Sequence, residues 1–290
     1  KAIFTLDVAL MIAIAPENSW GFKFSKKLIE LFVKLPKISR RITFLKRGDR
    51  VGFDLTDLRI LWPQVEEAVK YTNPITKQEI MVELGKILDT PQAPNLMEAV
   101  NYFENTLDRY FLNLLEENDG YAIEKVDIQW LENAYFNLVE ISRSAKEQNN
   151  FIEQAKPFYY ARYHSLINSM NAISLVCDCE DRFALLGDAP PEVIEYIQDQ
   201  NSYTFANCYE LLKVQHHATT AYYTDRTPTA YKYIISNGGY SNRKIDERFL
   251  NLCTEVVCTQ FHESQKTCDY YDANNKCNSK CHCCCYLNDC

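Results

Sequence analysis

All twelve cysteines of this 290-residue chain lie at or beyond residue 177, and nine of them fall between Cys253 and Cys290. A core that uses cysteine as a small hydrophobe would spread it over the fold, so the skew marks a C-terminal segment built differently from the rest. From about Ser264 onward Leu287 is the only large aliphatic residue. Such a segment has too little apolar surface for a core of its own and needs cross-links or a metal to be ordered.

Two chemistries answer that need. In the first, Cys177, Cys179, Cys208, Cys253, Cys258, Cys268, Cys277, Cys281, Cys283, Cys284, Cys285 and Cys290 are half-cystines, and the chain belongs to an oxidising compartment, extracellular or at a particle or cell surface. The nine cysteines from Cys253 onward and the three upstream ones are both odd in number. Complete pairing within one chain therefore ties the tail to Cys177, Cys179 or Cys208; the alternative is an inter-chain bridge and a covalent oligomer. Closing so long a loop is worth roughly 3–5 kcal/mol in the chain-entropy picture. In the second chemistry, thiolates and histidines hold zinc, with Cys253, Cys258, His262 and Cys268 as one set and Cys277, Cys281, His282 and Cys283 as another. Their spacing departs from the separated C-x₂₋₄-C pairs of zinc sites. Disulfides are the better reading, and no metal or cofactor is assigned.

The chain as a whole, long enough for one large domain or two modest ones, has an ordinary apolar fraction of 47% and only 8 glycines. Scarce glycine argues against a sheet built from tight hairpins. Charge is uneven. Residues 23–50 hold ten basic residues against Glu30 and Asp49, a local +8 in a chain of −8, so the rest carries −16. An acidic body argues against nucleic acid as a partner, while the basic stretch, residues 19–50, could meet an anionic surface. At the N-terminus, Lys1 followed by an apolar run to Ala15 has the outline of a secretory signal. Asp7 inside the run and Pro16 after it count against that, leaving a buried first strand or helix as the other reading.

Helical periodicity runs through most of the chain. Trp20, Phe24, Leu28, Leu31, Phe32 and Leu35 form one stripe, expected to pack into the core, with Pro36 as the stop. Thr76 and Glu79 make a capping box opening a helix to about Asp89. Leu96, Val100, Phe103, Leu107, Phe111 and Leu114 mark a long helix ending near Asn118. Further helices are predicted from Asp127, over 151–175 around Pro157, and over 190–199, 202–218, 228–235 and 242–262. Only Thr43–Leu45 and Val51–Phe53 read as short strands. The predicted fold is therefore all-α: a multi-helix bundle over residues 1–262, with at most a minor strand element near the N-terminus, and an irregular cysteine-rich tail, 263–290, clamped to that body. No internal repeat is evident.

Phosphate-cradling glycine loops, nucleophile elbows and H-E-x-x-H or E-x-x-H metal signatures are all absent from the sequence. The catalytic candidates that remain are weak: His216 and His217, with Glu210 or Asp225 as a carboxylate partner for general-base work. The functional expectation is a non-catalytic secreted or surface-exposed interaction or structural protein, stabilised by disulfides and bound to another protein. The alternatives are a secreted hydrolase-like enzyme using the histidine–carboxylate pair, and a zinc-thiolate module.

Overall fold

The computed structural model describes residues 5–38, 45–53, 56–64, 67, 70, 75–89, 91–115, 125–148, 150–236 and 245–258. The tail from 263, and with it seven of the twelve cysteines, lies outside them, as do Thr43 and Phe44 of the first candidate strand. The chain divides into two compact units, one formed by residues up to 44 with 71–170, the other by 45–70 with 171–290.

The first unit is helical, as expected. The apolar N-terminal run is α1 (Thr5–Ile14), with nine of its ten residues buried. A helix apolar all round is stable only when surrounded by protein or lipid. Here α2 (Trp20–Ile38), α4 (Gln92–Leu115) and α5 (Lys125–Lys146) enclose it. Its polar exceptions are satisfied. Asp7 accepts Arg162 Nε at 2.8 Å and Ser165 Oγ at 3.1 Å, both from α6 (Phe151–Ala172), which passes Pro157 without ending. At the other end, Ser142 Oγ donates to Ala13 O at 2.7 Å and Lys146 Nζ to Ile12 O at 3.0 Å. A cation there meets the negative end of the helix dipole. Burial pushes the Lys146 ammonium down to about 8. The Thr76–Glu79 capping box opens α3 (Lys77–Ile87) as the spacing predicts.

One helix turns a different face inward. The periodicity places the stripe from Trp20 to Leu35 in the core, yet two of its members, Trp20 and Leu31, are 54% and 47% exposed. Phe32 of that stripe is buried as expected and Phe24, Leu28 and Leu35 pack against the core at partial burial, but the deepest side of α2 is Phe22, Ser25, Ile29, Phe32 and Val33. The cause is a close approach at Gly21, where an added Cβ would lie 2.9 Å from Met11 Sδ and 3.2 Å from ring carbons of Tyr159 and Tyr163. That contact fixes the rotation of α2, which also runs past the expected stop to Ile38.

The second unit corrects the all-α expectation. Among the described residues it holds a seven-stranded mixed sheet in the order β1 (Arg50–Phe53), β2 (Thr56–Trp62), β3 (Val176–Cys179), β4 (Phe183–Leu185), β5 (Cys208–Lys213), β6 (Thr229–Ile235) and β7 (Cys253–Cys258). The first three pairings are antiparallel and the last three parallel. Among the described residues only α7 (Pro191–Gln198) survives of the α-helices predicted beyond residue 175; the described part of 242–262 holds the single turn α8 (Glu247–Leu250) and then β7.

The physical reason lies in how the parallel strands bury their side chains. Tyr209, Leu212 and Val214 are each fully buried, as are Tyr233 and Ile235 with Ala230 at 4%; Cys253 and Val256 repeat the first step. The spacing i, i+3 arises where the alternation slips by one residue within each strand, and i, i+3 is also the signature of a helix. The register stacks these positions, Tyr209 beside Ala230 beside Cys253, and Ala184 beside Leu212 beside Tyr233 beside Val256. The same burial step thus recurs on β5, β6 and β7, a structural repetition missed in the sequence because the residues differ. Scarce glycine argues against hairpins, yet β1–β2 and β3–β4 are antiparallel neighbours in sequence, and it says nothing against parallel strands, which are joined by crossovers.

On the inner face Asp178, fully buried, accepts Arg59 Nε at 2.9 Å, Arg59 Nη2 at 2.6 Å and Tyr209 Oη at 2.6 Å, linking β2, β3 and β5. Burial, with Asp178 beside it, holds the Tyr209 hydroxyl far above its ordinary range. Gly187, following β4, has φ +56°, and a Cβ there would lie 2.8 Å from Leu175 O. Gly187→Ala is expected to destabilise the second unit by about 1–2 kcal/mol from left-handed backbone alone, with the clash added. A urea midpoint equal to that of the parent chain would contradict this.

Candidate functional site

Ligands of open α/β sheets collect outside the carboxyl ends of parallel strands, and the strongest cluster in the second unit sits there. β4 is followed by Gly187 and Asp188, β5 by the segment Gln215–Ala218, and β6 by Ser236. His216, His217 and Ala218 have φ of 37°, 63° and 57°. Three successive non-glycine residues in the left-handed region cost on the order of 1–3 kcal/mol each, so the surroundings must hold them.

The holding contacts are explicit. The His216 amide donates to Gly187 O at 3.2 Å, and Asp246 N donates to Ala218 O at 2.9 Å. The His216 ring lies flat on Tyr222, centroids 3.7 Å apart and planes at 7°. Tyr222 Oη in turn accepts from Asn171 Nδ2 at 2.7 Å. His217 Nδ1 bonds Ser236 O. Gln215, fully buried, anchors the turn by donating to Tyr222 O at 3.0 Å and Thr227 Oγ1 at 3.1 Å.

The carboxylate beside His216 is Asp188, whose Oδ1 lies 4.0 Å from His216 Nδ1. Lys213, at the end of β5, has its ammonium pushed below its ordinary range by burial, an effect opposed by Asp188. A lysine, a carboxylate, two imidazoles and a phenol thus meet at one strand end. Such a group could shuttle a proton or grip an anionic group, since Lys213 and a protonated His216 both supply positive charge.

Of the sequence candidates, His216 and His217 are therefore in this cluster, on a left-handed turn rather than a helix. Their expected partners are elsewhere. Glu210 is exposed on β5, its amide bonding Asp181 O at 2.9 Å. Asp225 lines a separate open groove of about 540 Å³ with Glu195, Asp199, Tyr223, Arg226 and Arg248. Asp188 and Lys213 escaped the sequence reading; the Gly187-Asp188 turn after an apolar run was the available signal. Among the described residues no group of three or more histidine, cysteine, aspartate or glutamate side chains could hold a metal ion.

Four described cysteines can be placed with their surroundings. Cys177 and Cys179 are buried thiols on β3, Cys253 is buried on β7, and Cys208 is exposed at the start of β5. Cys177, Cys179 and Cys208 carry no disulfide to one another. Burial and the neighbouring Asp178 push the Cys177 thiol up to about 11. Since the thiolate is the reactive form, iodoacetamide applied to the native, reduced chain should label Cys208 well before Cys177 or Cys179. Equal labelling rates by peptide mass mapping would contradict the placement of β3.

Comparison with known proteins gives no identity: no family, no curated protein and no solved structure matches this chain.

Proposed function

We propose that this chain is a non-catalytic interaction protein of an oxidising compartment, and that it binds another protein through the outer face of its parallel strands. The observation that carries the reading is the contrast between the two faces. The inner one is sealed by Leu212, Tyr233 and Val256, each fully buried. The outer one presents Leu185, 41% exposed, and Tyr231, 66% exposed, with half-buried Leu211 and Ile234. Lys232 and Glu255 pair across it at 2.8 Å. Exposed apolar and aromatic groups set among charges are the composition of protein-recognition surfaces, and stacked strands supply a rigid platform for them. The oxidising compartment rests on the cysteine content of the C-terminal segment.

Paired affinity capture tests the surface: the parent chain and a Leu185→Asp/Tyr231→Ala variant, both shown folded, are used as baits on the same material. The reading expects a discrete partner retained by the parent and lost by the variant; identical captures would overturn it. Intact mass after thiol blocking, with and without reduction, tests the compartment. Masses that show every thiol blocked without reduction would remove it.

The strained strand-end cluster favours a second reading, a hydrolase-like enzyme in which His216, paired with Asp188, takes the proton of a nucleophile. Across ester, phosphoester, peptide and glycoside substrates, turnover by the parent that is lost in His216→Ala and reduced in Asp188→Asn would establish it. Turnover unchanged in both variants would dismiss it.

A further inference from the structure

The rotation of α2 leaves an unusual surface. Trp20, Lys23, Lys27, Leu31 and Lys34 are all exposed and follow one another at spacings of three, four, four and three, a single stripe along the solvent side of the helix. Half-buried Phe24 lies beside it, its ring stacked on Trp20 at 5.1 Å. A solvent-facing helix stripe is ordinarily polar. This one alternates lysines with an exposed indole and an exposed leucine, while Phe22, Ile29, Phe32 and Val33 already supply the contact with the core.

We propose that α2 seats the protein on an anionic lipid surface, with Trp20 and Leu31 entering the headgroup region and Lys23, Lys27 and Lys34 meeting lipid phosphates and carboxylates. Charge selects this occupant. Residues 23–50 carry +8 and the rest of the chain −16, so an anionic surface attracts this segment and repels the remainder. Indole and leucine among lysines suit a headgroup boundary, where one side of the helix is apolar and the flanks are charged. No helix among the described residues is long and apolar enough to cross a membrane, so the attachment lies in the interface. This surface belongs to the first unit, and the inference does not depend on what the sheet binds.

The test is co-sedimentation of the whole chain with phosphatidylcholine vesicles, with and without phosphatidylserine. The proposal expects binding only to the phosphatidylserine vesicles, weakening as salt is raised. Each lysine near an anionic surface is worth about fivefold in affinity, so Lys23→Gln/Lys27→Gln/Lys34→Gln should lose roughly 100-fold. These side chains are exposed, so the variant should melt as the parent does. Trp20 emission should be quenched by brominated lipid, and that quenching should vanish in Trp20→Phe. Failure of the parent chain to sediment, equal binding to both vesicle types, or capture by soluble polyglutamate without vesicle binding, the mark of an acidic protein partner, would each overturn it.

Discussion

Replacing Arg162 by leucine should destabilise the first unit by about 3–5 kcal/mol, the cost of leaving a buried charge without its partner. Asp7 is 5% exposed and Arg162 5% exposed, and the pair is held at 2.8 Å. Water has little access to replace the guanidinium. The pH dependence of that deficit is the sharper observation. Burial holds the Asp7 carboxyl above its ordinary value even with Arg162 opposing the shift. A carboxyl whose folded value is raised binds its proton more tightly in the folded chain. The ionised form therefore subtracts stability as pH rises through the folded value, and protonation returns it. Without Arg162 the folded value should rise further and this window widen. The deficit of Arg162→Leu measured by urea denaturation should then shrink as the solution is acidified, and Asp7→Leu added to it should recover most of the loss. A deficit independent of pH, or one deepened by Asp7→Leu, would mean that the pair is not what the structure shows.

The second large effect is expected in the sheet. Asp178 has no solvent exposure and serves three donors, two from Arg59 and one from Tyr209. Arg59→Leu strands the buried carboxylate, and about 3–5 kcal/mol is again the expected scale. Tyr209→Phe removes one hydrogen bond to a charged group, worth about 1.5–3 kcal/mol. Because both residues act on one carboxylate, Arg59→Leu/Tyr209→Phe should differ clearly from the sum of the single effects. Strict additivity in the double-mutant cycle would show that the network is not shared.

Both networks bear on what could be read from the residues alone. Asp7 in an apolar run is legible as an anomaly, and it counted against a signal segment, but its partner stands 155 positions away. The capping box at Thr76 and the long stripe from Leu96 to Phe111 are local chemistry, and they specify α3 and α4 directly. α2 was legible as a helix but not in its rotation, because a stripe of large apolar residues outranks a lone Gly21 until Met11, Tyr159 and Tyr163 are seen packed on it. The sheet failed for a sharper reason. Thr229–Ile235, with two tyrosines and two isoleucines, suits a strand by propensity. Its buried spacing, Ala230 to Tyr233, and a proline before it nonetheless imitate the start of a helix. Of the site, the two histidines were visible by type. Asp188 and Lys213 were not, because what joins them to His216 is the alignment of strand ends, a property of the topology and of no local segment.

The recognition surface and the strand-end cluster both depend on the parallel ladder β4–β7, as does the Tyr209 bond to Asp178. It is tested most directly by amide-to-amide and side-chain nuclear Overhauser contacts in an isotopically labelled sample. The structure requires contacts linking Tyr209 with Ala230 and Ala230 with Cys253, and linking Leu212 with Tyr233 and Tyr233 with Val256. Sequential helical contacts over 202–218, 228–235 and 242–262, with those cross-strand contacts missing, would return the chain to a helical bundle and remove the surface on which the functional proposal stands.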